Sequence, residues 1–211
     1  MKNIMTINTK SSICVIGLGY IGLPTASILA AEGYSVLGVD IRQDVVDIIN
    51  AGNIHIIEAG LDALVKSAIY AGNLLASLKP EESDVYILAV PTPFKENHQP
   101  DLSYIESAAS SIAPLLKRGD LVVLESTSPV GTTEFVRACV NKINQIEGVH
   151  YAHCPERVIP GRVLEEFVQN DRIIGGLDKE SAEVAASFYQ SFVQGEILLT
   201  DARTAELCKL T

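Results

Sequence analysis

One stretch near the start of the chain, residues 12–40, constrains the fold most strongly; it reads SICVIGLGYIGLPTASILAAEGYSVLGVD. An apolar run at 13–16 leads into Gly17, Gly19 and Gly22, which stand in G-x-G-x-x-G spacing. A helical stretch rich in alanine follows, and a second apolar run at 36–39 ends in Asp40. The order of strand, glycine turn, helix, strand and acid is a βαβ unit, which predicts a parallel sheet.

Each part of this unit suits the binding of a dinucleotide. Gly17 allows a tight turn out of the strand, Gly19 leaves room for a pyrophosphate, and Gly22 lets the helix pack closely on the strand. The helix N-terminus offers free N–H groups and a partial positive charge to phosphates. Asp40 can accept hydrogen bonds from a ribose. A glycine turn that serves only packing is the alternative interpretation.

The acid at the end of the second strand also discriminates between cofactors. A carboxylate at Asp40 would repel the 2′-phosphate of NADP and therefore favours NAD. Arg42, two residues further on, is the residue that could accommodate such a phosphate instead. We predict NAD.

Composition narrows the class of protein. The 211 residues are 47% hydrophobic and 20% charged, which suits a chain with one large domain. A net charge of −10 argues against nonspecific binding to nucleic acid or to an anionic membrane. The four cysteines form no C-x-x-C pair, so no metal site is predicted. Without an apolar run of membrane-spanning length or a signal peptide, the cytoplasm is the expected location.

Apolar runs alternate with helical patterns through the rest of the chain. We therefore predict an α/β fold with a doubly wound, mostly parallel, Rossmann-like sheet over residues 12–200, preceded by a tail at 1–11. One helix, capped by Asp101 or Ser103, is expected to run to Lys117, with Pro114 in its last turn or at a kink. Residues 201–211 are expected to be the start of a truncated connecting helix, because the helical pattern continues to Thr211 without a stop signal.

Ligands of such sheets bind at the carboxyl ends of the strands, which directs attention to four loops, those after Ile16, Val90, Glu125 and Cys154. Thr92 lies between two prolines, where it either lines a cofactor pocket or belongs to a merely rigid turn. Thr127 follows the next buried strand and offers a hydroxyl to a ribose, an amide or a water.

Further candidates lie nearer the end of the chain. Thr132 and Thr133 are expected to cap the helix that follows the Thr127 loop. Glu156 could act as a general base or hold a water, and Arg157 could pair with a phosphate or a sugar. A solvated surface ion pair between these two residues is the alternative. Lys209 lies on an apolar helix, where a lysine usually extends to solvent.

Six segments together resemble a known family, the nucleotide-sugar 6-dehydrogenases of the UDP-glucose/GDP-mannose dehydrogenase family. They read VIGLGYIGLP, VPTPF, ESTSPVGTT, CPERVIPG, NDRIIGG and RTAELCKLT. Residues 155–161 resemble most the branch that acts on UDP-N-acetyl-D-mannosamine, with UDP-N-acetylglucosamine and UDP-glucose as alternative substrates. The family oxidises a sugar C6 alcohol to a carboxylate in two NAD-dependent hydride transfers, through a cysteine nucleophile.

The resemblance also implies roles for individual residues. The residues implied to bind the cofactor are Gly17, Gly19, Tyr20, Ile21 and Gly22 at the pyrophosphate, Asp40 at the ribose, and Thr92 and Thr127. Those implied to act on or bind the substrate are Glu156 in proton transfer, Arg157 and Val158 as substrate contacts, and Lys209 as a substrate contact that stabilises an oxyanion.

The family's nucleophilic cysteine lies in a glycine-rich motif downstream of this lysine, and none of Cys14, Cys139, Cys154 and Cys208 lies in such a motif. A central dimerising helix and a second Rossmann-like domain are likewise implied further on. We therefore expect this chain to bind NAD without turning over a UDP-sugar, and the full-length protein to be a homodimer. A stand-alone NAD-binding module that regulates a partner is the alternative.

Overall fold

A computed structural model describes residues 11–96 and 98–210. Of the tail predicted at 1–11, residues 1–10 lie outside these ranges, and Thr211 of the predicted connecting helix does as well. The described residues form an eight-stranded sheet whose strands follow the predicted apolar runs. The strands are β1 (Ser12–Ile16), β2 (Ser35–Val39), β3 (Leu74–Ser77), β4 (Val85–Leu88), β5 (Leu121–Leu124), β6 (His150–His153), β7 (Arg172–Gly176) and β8 (Ile197–Asp201).

The strand order confirms the predicted doubly wound, Rossmann-like fold. It runs β3-β2-β1-β4-β5-β6-β7-β8. All neighbours are parallel except β6 and β7, which pair antiparallel with His153 opposite Gly175. The order reverses between β1 and β4, and the crevice at that point is where open α/β sheets bind their ligands.

Helices cover both faces of the sheet. They are α1 (Gly22–Ala31), α2 (Gln43–Asn50), α3 (Leu61–Tyr70), α4 (Ser103–Ile112), α5 (Thr132–Ile143), α6 (Val163–Gln169), α7 (Lys179–Tyr189) and α8 (Ala202–Leu210). The helix predicted to run to Lys117 ends as an α-helix at Ile112, and Pro114 lies in a 3-10 turn, Ala113–Leu115. The short α6 was not predicted. Among the described helices, none combines the length and apolarity that crossing a bilayer requires.

Two apolar cores lie on opposite sides of the central strands. One contains Ile13, Val15, Ile87 and Val123 and is covered by α1, α2, α3, α6 and α7. The other contains Tyr86, Leu88, Val122 and Leu124 and is covered by α4 and α5. Since every residue of β4 and β5 is buried, these strands read as continuous apolar runs.

Two adjacent glycines at the end of β7 bring a helix close to each face of the sheet. A Cβ on Gly175 would lie 2.7 Å from Cβ of Ala205 on α8, and one on Gly176 would lie 2.4 Å from N of Ala182 on α7. Gly175 and Gly176 therefore allow both helices to approach the strand, and this packing seats α8, the helix that carries Lys209.

Candidate functional site

The glycine turn is shaped by the backbone contacts of two of its glycines. Gly17 has φ +93°, and a Cβ there would lie 2.7 Å from the carbonyl oxygen of Ala89. A Cβ on Gly22 would lie 1.7 Å from the carbonyl oxygen of Gly17, so α1 can begin here only with glycine. A Cβ on Gly19, by contrast, would meet nothing within 4 Å. The face of the turn at Gly19 is open and offers the space that a pyrophosphate needs.

Asp40 closes the turn from the end of β2. Its Oδ2 accepts a hydrogen bond from the N–H of Leu18 at 3.1 Å, and its Oδ1 accepts one from the N–H of Arg42 at 3.0 Å. The guanidinium of Arg42 pairs with Asp44 at the surface. The carboxylate of Asp40 is therefore held beside the glycine turn, while Arg42 is already paired.

The loops that carry Thr92 and Thr127 are joined directly. Oγ1 of Thr92 donates a hydrogen bond to the carbonyl oxygen of Thr127. Ser126 strengthens the junction, because its Oγ donates to the carbonyl oxygen of Val90 at 2.7 Å. Thr92 is half-buried and Thr127 is exposed, so the pair forms a fixed wall beyond the ends of β4 and β5.

Glu156 is buried and pairs with an arginine that the sequence analysis did not single out. Its Oε2 forms an ion pair with Nη1 of Arg172, and the two side chains are 3% and 2% exposed. Its Oε1 accepts a hydrogen bond from the N–H of Arg157 at 2.7 Å. The guanidinium of Arg172 also donates to the carbonyl oxygen of Phe167, and its Cζ lies 4.4 Å from the centre of the Phe167 aromatic ring. The alternative of a solvated surface pair between Glu156 and Arg157 is therefore wrong.

Lys209 reaches this loop from α8. Its Nζ donates a hydrogen bond to the backbone carbonyl oxygen of Glu156. Partial burial lowers the pKa of the Lys209 amine, an effect that the charge of Glu156 opposes. Arg157 is exposed and Val158 is half-buried against the first core. The structure thus brings Lys209 and Glu156 together and leaves the Arg157 side chain open to solvent.

A second buried carboxylate lies near Glu156. Oε1 of Glu125 accepts a hydrogen bond from the hydroxyl of Tyr189 at 2.6 Å, and Oε2 accepts one from Oγ1 of Thr25 on α1 at 3.3 Å. Burial raises the pKa of Glu125 to about 7, and the negative charge of Glu156 adds to this. His153 is buried as well, and burial lowers its pKa to about 4, so it is neutral near pH 7.

Two further glutamates cap helices far from them in sequence, and sequence reasoning missed both. Glu58 accepts hydrogen bonds from the N–H groups of Gly161 and Val163 at the start of α6, each at 2.9 Å. Tyr20 of the glycine turn also contacts Glu58, with its hydroxyl 3.5 Å from Oε2. Glu58 therefore contacts both the glycine turn and the loop at residues 155–163.

The other capping glutamate is Glu206, which caps α5. Thr132 and Thr133 were expected to cap this helix and do not, because they lie inside its first turn after the N-cap Gly131. The sequence does carry a signal for the burial of Glu206. Its carboxylate shares one face of α8 with Ala202, Ala205 and Lys209, and the small residues indicate that this face is buried.

Comparison with known proteins agrees with this geometry. Residues 11–193 match the model of the UDP-glucose/GDP-mannose dehydrogenase family, NAD-binding domain. The UDP-N-acetyl-D-mannosamine dehydrogenase of Campylobacter jejuni is 53% identical over 97% of this chain and 53% of its own length. An NDP-N-acetyl-D-galactosaminuronic acid dehydrogenase of Ralstonia nicotianae is 55% identical over 95% of this chain and 50% of its own.

The same relationship holds in three dimensions. The structure of the UDP-N-acetyl-mannosamine dehydrogenase of Staphylococcus aureus superposes with a TM-score of 0.90 at 45% identity, covering 95% of this chain and 50% of that one. The chain thus spans about half the length of the relatives that it matches. By its family model, its fold and its glycine turn, the chain belongs to the UDP-glucose/GDP-mannose dehydrogenase family as an NAD-binding domain, which confirms the predicted cofactor.

Proposed function

We propose that this chain is the NAD-binding part of a nucleotide-sugar 6-dehydrogenase that oxidises UDP-N-acetyl-D-mannosamine to UDP-N-acetyl-D-mannosaminuronate with two NAD. The contact that carries the proposal is the hydrogen bond from Nζ of Lys209 to the carbonyl oxygen of Glu156. It places an ammonium on the backbone of the residue whose side chain is a buried carboxylate, in the loop that follows β6 at the carboxyl edge of the sheet. That edge is where the cofactor binds in this fold.

The residues present fit NAD at the glycine turn. The open face at Gly19 leaves room for the pyrophosphate, and the N-terminus of α1 has no side-chain cap competing for its N–H groups. Tyr20 and Ile21 complete the turn, Asp40 accepts the ribose hydroxyls, and the Thr92–Thr127 wall limits the nicotinamide end. NAD, when bound, accepts a hydride from the sugar C6 in each oxidation step.

The chemistry at the sugar is assigned to the Lys209–Glu156 pair. The ammonium of Lys209 would stabilise negative charge as it develops on the C6 oxygen. Glu156, oriented by its ion pair with Arg172, would assist proton transfer or hold a water. Exposed Arg157 and half-buried Val158 would contact the substrate. We assign these four substrate-site residues to this chain: Lys209, Glu156, Arg157 and Val158.

The cysteine nucleophile is assigned to residues outside this chain. Burial raises the pKa of both Cys14 and Cys154 to about 12, so neither thiol is an effective nucleophile near pH 7. Cys139 is also buried, and Cys208 is half-buried. We therefore propose that the 211-residue chain alone binds NAD but produces no NADH from a nucleotide sugar.

The wider setting is proposed on the same basis. The described cysteines are free, as is usual in a reducing compartment, and we propose the cytoplasm as the location. A homodimer is proposed for the longer protein. The Ralstonia relative, at 55% identity, favours an N-acetylgalactosamine nucleotide as the second candidate substrate.

Steady-state kinetics on a panel of nucleotide sugars tests the substrate. The natural gene product containing this chain should give its highest kcat/KM with UDP-N-acetyl-D-mannosamine, compared with the gluco and galacto isomers and UDP-glucose. A higher kcat/KM with another nucleotide sugar would identify that sugar as the substrate instead. NADH formation by the 211-residue chain alone would overturn the assignment of the nucleophile.

A further inference from the structure

The helix that carries Lys209 is held by a buried glutamate that the proposed chemistry does not use. Glu206 lies one turn before Lys209 on α8, and its side chain is 0% exposed. Its Oε2 accepts a hydrogen bond from the N–H of Gly131 at 2.5 Å. Its Oε1 accepts hydrogen bonds from the N–H of Thr133 at 2.7 Å and from Oγ1 of Thr133 at 2.6 Å.

These three hydrogen bonds tie α8 to the N-terminus of α5. The first N–H groups of a helix have no partner within the helix, and the helix dipole makes that end positive. No side-chain cap comes from the N-cap residue of α5 itself, Gly131. A buried carboxylate needs such donors, because a charge without them is costly in the interior. The contact therefore fixes both the rotation and the axial position of α8.

The anchored end of α5 directly follows the loop that carries Thr127. This loop has supports that do not involve Glu206, since Ser126 donates to the carbonyl oxygen of Val90 at 2.7 Å and Ser128 donates to that of Ser126 at 2.9 Å. The loop is thus a fixed reference at the cofactor side of the site. Glu206 fixes the position of Lys209 relative to this loop.

We propose that Glu206 is a positioning residue, which holds Lys209 against the carbonyl of Glu156 by anchoring α8 to the start of α5. Its effect on catalysis rests on the proposed function of Lys209. Its effect on the position of Lys209 does not, and the two can be measured separately.

The variant Glu206→Gln tests the catalytic effect in the natural gene product. The amide keeps the shape of the side chain, loses its charge and turns an NH₂ group toward N–H donors. We expect kcat to fall by about tenfold or more, since leaving a buried donor unpaired has effects of this order. The KM for NAD should stay within about twofold, because the Thr127 loop keeps its own hydrogen bonds.

A matched control removes a different link between the same two helices. Arg203 on α8 pairs with Glu134 on α5 at the surface, with Nη2 of Arg203 2.8 Å from Oε2 of Glu134. Arg203→Gln should change kcat by less than about twofold, because exposed ion pairs contribute little. An equal loss of kcat in Arg203→Gln and Glu206→Gln would overturn the specific role of Glu206.

A titration of the Lys209 amine tests the position of this lysine without any substrate. Reductive ¹³C-methylation of the 211-residue chain, assigned with Lys209→Arg, reports this amine by NMR. In the wild type the pKa of Lys209 should lie below that of exposed lysines, and in Glu206→Gln it should rise toward them. An unchanged Lys209 resonance and titration in Glu206→Gln would overturn the proposal.

A milder variant keeps the test decisive if Glu206→Gln fails to fold. Thr133→Val removes only the hydroxyl donor and leaves both N–H contacts of Glu206 in place. It should shift the Lys209 titration in the same direction by a smaller amount, and no shift would count against the proposal. If the wild-type gene product forms no NADH at all, the proposed function fails, while the titration still decides the role of Glu206.

Discussion

Lys209 donates a hydrogen bond through its Nζ to the backbone carbonyl oxygen of Glu156, a residue 53 positions earlier in the chain. This contact joins the α8 helix to the loop after β6. The side chain of Glu156 is in turn held by Arg172, so the ammonium binds the backbone and the guanidinium binds the carboxylate of the same residue, at the carboxyl edge of the sheet.

Loss of the Lys209 ammonium should remove turnover but not cofactor binding. Lys209→Met in the natural gene product is expected to lower kcat by about 10²–10³, the usual effect of removing one group that stabilises an oxyanion. The affinity for NAD, measured by calorimetry, should be unchanged because Lys209 does not touch the glycine turn. A kcat within about threefold of wild type would remove Lys209 from the reaction.

Two alanine substitutions in the glycine turn should have opposite signatures. Gly19→Ala places a methyl group in open space, so the Tm should be unchanged while the affinity for NAD falls. Gly22→Ala places one 1.7 Å from the Gly17 carbonyl oxygen and should lower stability by about 1–3 kcal/mol or more. Thermal unfolding with and without NAD distinguishes them, and an equal loss of Tm in both would contradict the assigned pyrophosphate face.

The discrimination against NADP should depend on Asp40. Asp40→Asn keeps an oxygen for the N–H of Leu18 and removes the negative charge, so the ratio of NADP to NAD affinity should rise. Asp47→Asn is the control, since this exposed residue bonds to Gln43 on the same helix and lies away from the turn. A ratio that rises equally in both variants would indicate a general effect of charge and would contradict a contact with the ribose.

Removal of Arg172 should destabilise the fold through the charge that it leaves behind. Arg172→Met leaves the buried carboxylate of Glu156 without its ion-pair partner, and the free energy of unfolding typically falls by about 3–5 kcal/mol in such a case. Arg203→Met, which breaks the exposed ion pair with Glu134, should cost less than about 1 kcal/mol. Urea unfolding measures both changes, and similar values for the two variants would mean that the Glu156–Arg172 pair is not buried in solution.

Glu125 should make stability depend on pH in a predictable direction. Its pKa is raised to about 7 in the folded chain from an ordinary value of 4.5, so the folded state holds the proton more tightly. Stability from this group is therefore present at low pH and is lost as pH rises through about 7. His153 contributes in the opposite direction. Its pKa is lowered from 6.5 to about 4 in the folded chain, so its contribution to stability increases as pH rises between these two values.

The variant Glu125→Gln separates these two contributions. The difference in unfolding free energy between the variant and the wild type should move in favour of the variant as pH rises from about 5 to 7. Since His153 is present in both proteins, its contribution cancels in the difference. A difference that is flat over this range would show that Glu125 does not titrate there.

The elements that lie close together in sequence were predictable. The βαβ unit around Gly17 and the alternation of apolar runs with helical patterns predicted the sheet and the edge at which the site lies. The rule that ligands bind at the carboxyl ends of parallel strands then selected the loops of Thr92, Thr127 and Glu156. These inferences need only local pattern and chain order.

The pairing partners were not predictable, because they depend on the direction of a single strand. β7 runs antiparallel to β6 with His153 opposite Gly175. The first residue of β7, Arg172, therefore reaches the level of Glu156, whereas Arg157, its neighbour in sequence, points to solvent. The caps supplied by Glu58 and Glu206 were missed for a different reason, because each bridges more than 70 residues. The spacing on α8 could indicate that Glu206 is buried, but not which helix it caps.

The proposed function is tested most directly by the number of NADH molecules that the natural gene product forms from each UDP-N-acetyl-D-mannosamine. With limiting sugar and excess NAD, we expect two NADH per sugar consumed and a uronate as the product by mass spectrometry. One NADH per sugar with an aldehyde product, or no NADH at all, would contradict it.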